Sequence, residues 1–255
     1  MKQFFKLEEN KTNVKTEVLA GITTFMTMAY ILVVNPVILS STGMDFGGIF
    51  TATALSSLIA TFMMALYANY PFALAPGMGL NAFFAFTVVL GHMGKSWEFA
   101  LTAVLIEGII FILLSFIKAR EAIFESIPLN LKNAVSVGIG LFIAFIGLSG
   151  AEIVKAGDGT LVALGELTSG APLLAIIGII ITGLLLAKNV KGALLIGIIA
   201  TTIIGIPMGV TILPDNFNTI VSMPPSLKDV AFKFVGFDQI FSFEMLVVVF
   251  TFLFV

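Results

Sequence analysis

Stretches of about 20 residues without a charged side chain recur along this chain, and they constrain its fold more than any other feature. A helix of about 20 apolar residues is long enough to cross the hydrocarbon core of a bilayer. The chain has 255 residues and is 58% hydrophobic but only 11% charged, so it lacks the polar residues that a soluble surface needs. The sequence therefore predicts an all-α polytopic membrane protein, because helices satisfy their backbone hydrogen bonds without water.

Eight apolar segments are predicted to cross the membrane. They are residues 18–39, 48–68, 72–91, 99–117, 133–149, 171–187, 192–212 and a last segment that starts near residue 240. That last segment is still apolar at Val255, so we expect it to be a truncated span.

The positions of lysine and arginine predict how these segments are oriented. If the N-terminus lies inside the cell, inner segments carry nine basic residues and outer segments carry four, as the positive-inside rule requires. The alternation holds only if residues 72–91 count as one full crossing. The inner residues are Lys2, Lys6, Lys11, Lys15, Lys118, Arg120, Lys132, Lys188 and Lys191, and the outer ones are Lys95, Lys155, Lys228 and Lys233.

Several functional classes are not supported by the residues present. The chain has no cysteine, and its single histidine, His92, cannot by itself form a typical zinc site. No basic cluster with interleaved aromatic residues indicates a nucleic-acid partner. No nucleotide-binding or hydrolase motif is present, so we expect neither an enzyme nor a cofactor or metal.

Residues 72–91 differ from the other segments because their first half disfavours a helix. Pro76 has no backbone N–H and restricts the residue before it, and Gly77 favours non-helical backbone. We predict that "FALAP" is extended and that a half-helix begins between Gly77 and Leu80, with free N–H groups at mid-membrane. Such discontinuous helices form substrate sites in secondary transporters, and Asn81 would lie in the first turn. The alternative is a kinked helix whose asparagine bonds to a neighbouring helix.

Polar side chains inside two other segments are also candidates. In the first segment, Thr24 and Thr27 offer hydroxyls, although threonine can bond to the carbonyl one turn back in its own helix. In the fourth, Glu107 is the only acid buried in mid-span. An acid at that depth must be protonated, paired or exposed to a water-filled cavity. It is therefore either part of a proton relay or a partner in an interhelical hydrogen bond.

Two motifs connect the chain to a known family. "GITTFMTMAYILVVNP" at residues 21–36 followed by "ALAPGMGLNAFFAF" at 73–86 resembles the AzgA-like guanine/hypoxanthine permeases of the nucleobase:cation symporter-2 superfamily. The resemblance runs along the whole chain, including the "EG" of Glu107 and Gly108.

The resemblance implies a fold of fourteen segments in two inverted seven-segment repeats, arranged as a core domain and a gate domain. This chain would cover the first repeat and the start of segment 8, with a short strand and a half-helix in segment 3. The implied divisions are a cytoplasmic N-terminus at 1–17, core segments 1–4 at 18–117, a cytoplasmic linker at 118–132, gate segments 5–7 at 133–212, an outer loop at 213–239 and the start of segment 8 at 240–255.

The resemblance further implies import of guanine or hypoxanthine, or of adenine, by proton symport, with Glu107 as the proton-coupling candidate. For the isolated chain we expect aggregation, degradation, or a homodimer in which a second copy fills the place of the missing repeat. The alternatives are a permease for xanthine or uracil, and a channel-like protein with a re-entrant segment. The implied substrate-binding residues are Gly77, Met78, Gly79, Leu80, Asn81, Phe83, Phe84, Thr24 and Thr27.

Overall fold

A computed structural model of the chain describes residues 4–116, 125, 128–157, 159–213 and 223–254. Residues 117–124 of the predicted linker and 214–222 of the predicted outer loop lie outside the described part. The chain divides into two compact units. Unit 1 contains residues 1–31, 57–75 and 144–223, and unit 2 contains residues 32–56, 76–143 and 224–255.

Apolar α-helices make up most of the described chain. Two π-helical segments, Met64–Ala68 and Phe83–Val89, each directly follow an α-helix. The α-helices are α1 Val14–Met28, α2 Ile31–Ser40, α3 Phe46–Met63, α4 Met78–Ala82, α5 Trp97–Phe116, α6 Leu129–Gly150, α7 Gly170–Ala187, α8 Ala193–Gly205, α9 Phe237–Ile240 and α10 Phe243–Phe254.

Five helical segments in the described ranges are long and apolar enough to cross a membrane: Val14–Ser40, Phe46–Ala68, Trp97–Phe116, Leu129–Gly150 and Gly170–Ala187. Three shorter apolar helices are Met78–Val89, Ala193–Gly205 and Phe243–Leu253. Together they fall at the eight predicted positions. Their large hydrophobic side chains are mostly exposed, which suits hydrocarbon and would be unfavourable in water. The chain is therefore a multi-pass membrane protein.

The first predicted segment, 18–39, is not one continuous helix. A two-residue turn at Ala29 and Tyr30 separates α1 from α2, and Pro36 lies inside α2. Because proline has no N–H, the carbonyl of Leu32 receives no helical hydrogen bond from that position. The turn falls next to the boundary between the two units.

The core of unit 2 forms where α5 packs against α10 and against the π-helical turn after α4. Ala100 and Ala103 are fully buried, and their small side chains allow close approach of large ones from α10 such as Met245 and Phe252. Val230 joins the same core from the segment before α9.

Two buried threonines hold that segment onto unit 2. The Thr51 hydroxyl donates to the Pro225 carbonyl at 2.9 Å, and the Thr102 hydroxyl accepts from the Val235 N–H at 3.1 Å. The predicted outer loop is therefore tied to the core of this unit over the residues that the structure describes.

In unit 1, α7 and α8 pack against each other through glycine and threonine. A Cβ atom on Gly178 would lie 2.7 Å from Thr201 Oγ1, and one on Gly197 would overlap Thr182. Glycine at these two positions lets the helices approach closely, as in other membrane helix pairs.

The described chain is mostly helical, as predicted, but the connection between α6 and α7 contains strands that the sequence did not predict. Two antiparallel strands, β1 Val154–Gly157 and β2 Thr160–Leu164, form a hairpin there, with Val154 opposite Leu164. Both strands contain β-branched residues, which favour extended backbone. Gly159, in the turn, has a φ of +87°, which favours glycine.

The predicted short strand at "FALAP" is not formed. Residues 71–77 are non-helical, as expected, but no strand pairs with them in the described chain. A strand is defined by backbone hydrogen bonds to a neighbouring strand, and here a side chain supplies such bonds instead, as described below.

Candidate functional site

The half-helix predicted in the third apolar segment begins one residue after Gly77. Gly77 has extended backbone, with φ −76° and ψ 122°, and α4 starts at Met78. The first helical hydrogen bond runs from the Asn81 N–H to the Gly77 carbonyl at 3.2 Å. No side chain caps this end. The N–H groups of the first turn, including those of Gly79 and Leu80, therefore have no partner among the described residues and point out of the helix end.

The non-helical stretch before α4 is held by one threonine of α3. Thr61 Oγ1 accepts a hydrogen bond from the Leu74 N–H at 3.0 Å and donates to the Leu74 carbonyl at 3.3 Å. Both residues lie in unit 1. A single hydroxyl thus satisfies the two backbone groups that a partner strand would otherwise satisfy, which matters because unpaired backbone groups are costly in lipid.

The segment after α4 continues as a π-helix from Phe83 to Val89. Short π-helical segments occur often at functional sites. Phe84 is buried in the core of unit 2, whereas Phe83 is half-buried and meets Phe252 edge to face, with ring centroids 5.0 Å apart. Both rings therefore pack within unit 2, and Phe83 has more exposed surface than Phe84.

Asn81 belongs to a chain of polar contacts that the sequence did not predict. Asn81 Nδ2 donates to Asn35 Oδ1 at 2.5 Å, Asn35 Nδ2 donates to Thr53 Oγ1 at 2.7 Å, and Thr53 Oγ1 donates to the Ile49 carbonyl at 2.8 Å. All of these residues lie in unit 2, and Asn35 and Thr53 are 4% and 2% exposed. We call Asn81, Asn35 and Thr53 the amide relay.

The relay combines the two alternatives considered for this segment. The helix is broken before Met78, and its asparagine also bonds to a neighbouring helix, α2, at Asn35. The only signal for Asn35 in the sequence is an amide placed in an apolar run just before Pro36. The side-chain oxygen of Asn81, Oδ1, accepts no hydrogen bond from the described residues.

Glu107 lies in the middle of α5 and is half-buried. Within the described ranges, its carboxyl group makes neither an ion pair nor a hydrogen bond. The interhelical partner that one interpretation of Glu107 requires is therefore not present among these residues.

Thr24 and Thr27 lie in α1, in unit 1, whereas the other predicted site residues lie in unit 2. The Thr24 hydroxyl donates to the Ala20 carbonyl at 2.9 Å, and the Thr27 hydroxyl donates to the Thr24 carbonyl at 2.7 Å. Both hydroxyl hydrogens are therefore used within the helix, and each oxygen can still accept a hydrogen bond.

Unit 1 also contains an open groove of about 720 Å³ between α7 and α8. Its polar lining consists of threonine and tyrosine hydroxyls, including Thr182, Thr201 and Tyr30. The Thr201 hydroxyl donates to the Gly197 carbonyl of its own helix at 2.7 Å. None of the predicted site residues lines this groove.

The apolar helices, the broken third segment and the buried polar relay at its start define a multi-pass membrane protein with polar chemistry at membrane depth. Comparison with known proteins specifies the class further. Residues 15–255 match the Permease family (Xan_ur_permease), and the chain belongs to that family. The family is one of permeases and not of enzymes, in agreement with the prediction from the sequence.

Several curated relatives have names that include a nucleobase. The guanine/hypoxanthine permease PbuO of Bacillus subtilis strain 168 is 45% identical over 252 residues, 98% of this chain and 58% of that protein. The guanine/hypoxanthine permease PbuG of the same organism is 45% identical over 264 residues, 100% of this chain and 59% of that protein. The adenine permease AdeP of Escherichia coli K12 is 43% identical over 230 residues, 90% of this chain and 51% of that protein. The chain therefore spans between 51% and 59% of the length of these relatives.

Proposed function

We propose that this chain belongs to a secondary active transporter that imports purine nucleobases across the cell membrane by proton symport. The proposal rests on the position of Asn81 in the first turn of a helix that begins inside an apolar segment. Its side-chain Nδ2 bonds to Asn35, and its side-chain oxygen has no partner among the described residues. The names of the curated relatives support purines as the substrate class: guanine and hypoxanthine for PbuO and PbuG, and adenine for AdeP.

The polar groups at the start of α4 have the chemistry to bind a base. A purine presents hydrogen-bond donors and acceptors along the edge of a flat aromatic ring. The Asn81 amide can pair with such an edge, and the free N–H groups of Met78 and Gly79 can donate to a ring nitrogen or carbonyl oxygen. Gly77 is exposed and has open space where a Cβ would stand, so a ligand can approach the backbone there. Phe83 follows Asn81 by two residues and carries a partly exposed aromatic ring that could stack on a base.

The family resemblance also implies a role in substrate binding for Thr24, Thr27 and Phe84, and that role remains a prediction. The threonine oxygens retain acceptor capacity, so they can receive hydrogen bonds from the N–H groups of a base. Leu80 is exposed and would contribute apolar contact, whereas Phe84 is buried in the core of unit 2 and is not available to a ligand there.

Glu107 is the proposed coupling residue. A carboxyl group in mid-span is costly when ionised and is much less so when it carries a proton. No described side chain pairs with the Glu107 carboxyl group, so no partner offsets its charge when it is ionised. We therefore propose that Glu107 gains and loses a proton during transport. Proton binding would then favour the state that crosses with substrate.

The proposed orientation places the N-terminus and the Lys188 to Lys191 turn in the cytoplasm and the β-hairpin outside. It rests on the distribution of lysine and arginine. We further propose that the chain associates with a second copy, since an unpaired half-helix end in lipid would leave backbone donors without partners.

The test is counterflow in liposomes that contain the protein made from its complete gene. Vesicles preloaded with unlabelled hypoxanthine should take up labelled hypoxanthine transiently and saturably, and guanine and adenine should compete. Competition by xanthine or uracil instead would indicate a permease for those bases. Uptake that never saturates and shows no counterflow would indicate a channel and would overturn the proposal.

A further inference from the structure

We propose that Thr53 and Asn35 are positioning residues that determine which way the Asn81 amide faces, and thereby which purine edge the transporter prefers. The inference rests on the proposed function, because it assigns a role to residues behind the proposed substrate site. Neither Thr53 nor Asn35 needs to touch the substrate in order to act.

Thr53 is the buried end of the relay. The Thr53 hydroxyl has one hydrogen, and it donates that hydrogen to the Ile49 carbonyl, 2.8 Å away. A backbone carbonyl can only accept. Toward its other neighbour, the Thr53 oxygen is therefore an acceptor, and the atom of Asn35 that faces it must be the amide nitrogen.

The orientation of Asn35 then determines the orientation of Asn81. With Asn35 Nδ2 toward Thr53 at 2.7 Å, Asn35 Oδ1 faces Asn81, and the atom that meets it at 2.5 Å must be Asn81 Nδ2. Asn35 and Thr53 are 4% and 2% exposed, so no water is at hand to bond to a misplaced group. Rotating either amide by half a turn would bring two donors or two acceptors face to face in a buried place, which is unfavourable.

The relay leaves Asn81 with one acceptor and one donor, in a fixed order, for a ligand. One Asn81 N–H is used by Asn35, so the carbonyl oxygen and the second N–H remain for a ligand. An asparagine amide presented in this way recognises a base edge that has a donor beside an acceptor, as asparagine does with adenine in nucleic-acid complexes. A reversed amide would present a different order of donor and acceptor and would favour a different edge.

A neighbouring threonine in the same helix provides a matched control. Thr51 is buried and its hydroxyl donates to the Pro225 carbonyl. Among the described residues, no side-chain amide donates to the Thr51 oxygen. Replacing Thr51 with valine removes a hydroxyl of the same kind from α3 without touching the relay. Any general effect of removing a buried threonine hydroxyl from this helix should appear in both variants.

The experiment compares substrate preference in Thr53→Val, Thr53→Ser and Thr51→Val, each made in the protein from its complete gene. Competition against labelled hypoxanthine is measured with adenine, which has an amino group at position 6, and with unlabelled hypoxanthine, which has an oxo group there. We expect Thr53→Val to change the ratio of the two inhibition constants by about tenfold, the effect of one reversed base contact. Thr53→Ser should keep the wild-type ratio, and so should Thr51→Val.

The outcomes separate this inference from the proposed function. If the wild type takes up no purine, the proposed function fails. If the wild type transports purines but Thr53→Val weakens both competitors equally, or leaves their ratio unchanged, the relay is merely structural and the inference is wrong. Should Thr53→Val fail to reach the membrane, Asn35→Leu cuts the relay at its next member and must change the same ratio for the inference to hold.

Discussion

The Thr61 hydroxyl bonds to both the N–H and the carbonyl of Leu74, at 3.0 Å and 3.3 Å. This contact joins α3 to the non-helical stretch that precedes α4. In the described chain it takes the place of the strand pairing that was expected there. It also shows how a membrane segment can leave the helical conformation, since the backbone groups released at the break are bonded by a side chain.

We expect Thr61→Val to destabilise the protein in detergent by about 1–3 kcal/mol, because two backbone groups of Leu74 lose their partner. The measurement is thermal unfolding followed by the loss of a monodisperse peak in size-exclusion chromatography. Thr202→Val is the control, since that hydroxyl bonds to the Ile198 carbonyl of its own helix. Equal stability of the two variants would argue against a special role for Thr61.

Asn81→Ala should reduce purine affinity by about tenfold or more while the protein still reaches the membrane. A lost hydrogen bond that leaves a ligand group unpaired costs about 1–3 kcal/mol. Initial uptake rates at several hypoxanthine concentrations give the affinity. Asn133→Ala removes an exposed amide from α6 and should not alter it. Unchanged uptake kinetics in Asn81→Ala would rule out a binding role for this amide.

Glu107→Gln should lower accumulation driven by a proton gradient and leave equilibrium exchange largely intact. Glutamine keeps the shape of glutamate but cannot take up and release a proton, so substrate should no longer be concentrated above the outside level. Uptake with and without a pH gradient is compared with exchange in equilibrated vesicles. Glu98→Gln, in the first turn of the same helix, is the control. Full accumulation in Glu107→Gln would assign the residue a structural role.

Orientation is testable because the chain contains no cysteine. Leu161 in the β-hairpin is 97% exposed, and Asn189 lies in the exposed turn between α7 and α8. Leu161→Cys should react with a membrane-impermeant thiol reagent in intact cells, and Asn189→Cys only in inside-out vesicles. The reverse pattern would place the N-terminus outside.

Gly178→Ala should destabilise the packing of α7 on α8 by about 1–3 kcal/mol, because the added methyl group would lie 2.7 Å from Thr201 Oγ1. Gly183→Ala is the matched control in the same helix, since nothing lies within 4 Å of its added methyl group. Thermal unfolding of both variants gives the comparison. A second substitution, Thr201→Ala, should recover part of the loss in Gly178→Ala, and no recovery would mean that the two residues are not coupled.

The amino-acid sequence by itself determined the membrane class, the positions of eight apolar helices and the break before Met78. These features are local. A run of apolar residues is long enough to cross a bilayer whatever lies beside it, and Pro76 and Gly77 disfavour a helix through their own backbone chemistry. The same local signals led to the expectation of one unbroken first helix, which the turn at Ala29 and Tyr30 corrects.

Only the tertiary structure decided which polar groups meet. Asn81 and Asn35 are 46 positions apart, and the hydrogen bond between them joins two different helices. A soluble helix reveals its buried face because the other face is polar, but a helix such as α7 is apolar on all sides apart from Thr182. The pattern of residues then cannot distinguish the side that faces lipid from the side that packs on protein. The relay behind Asn81 and the Thr61 contact to Leu74 therefore follow from how the helices pack in three dimensions.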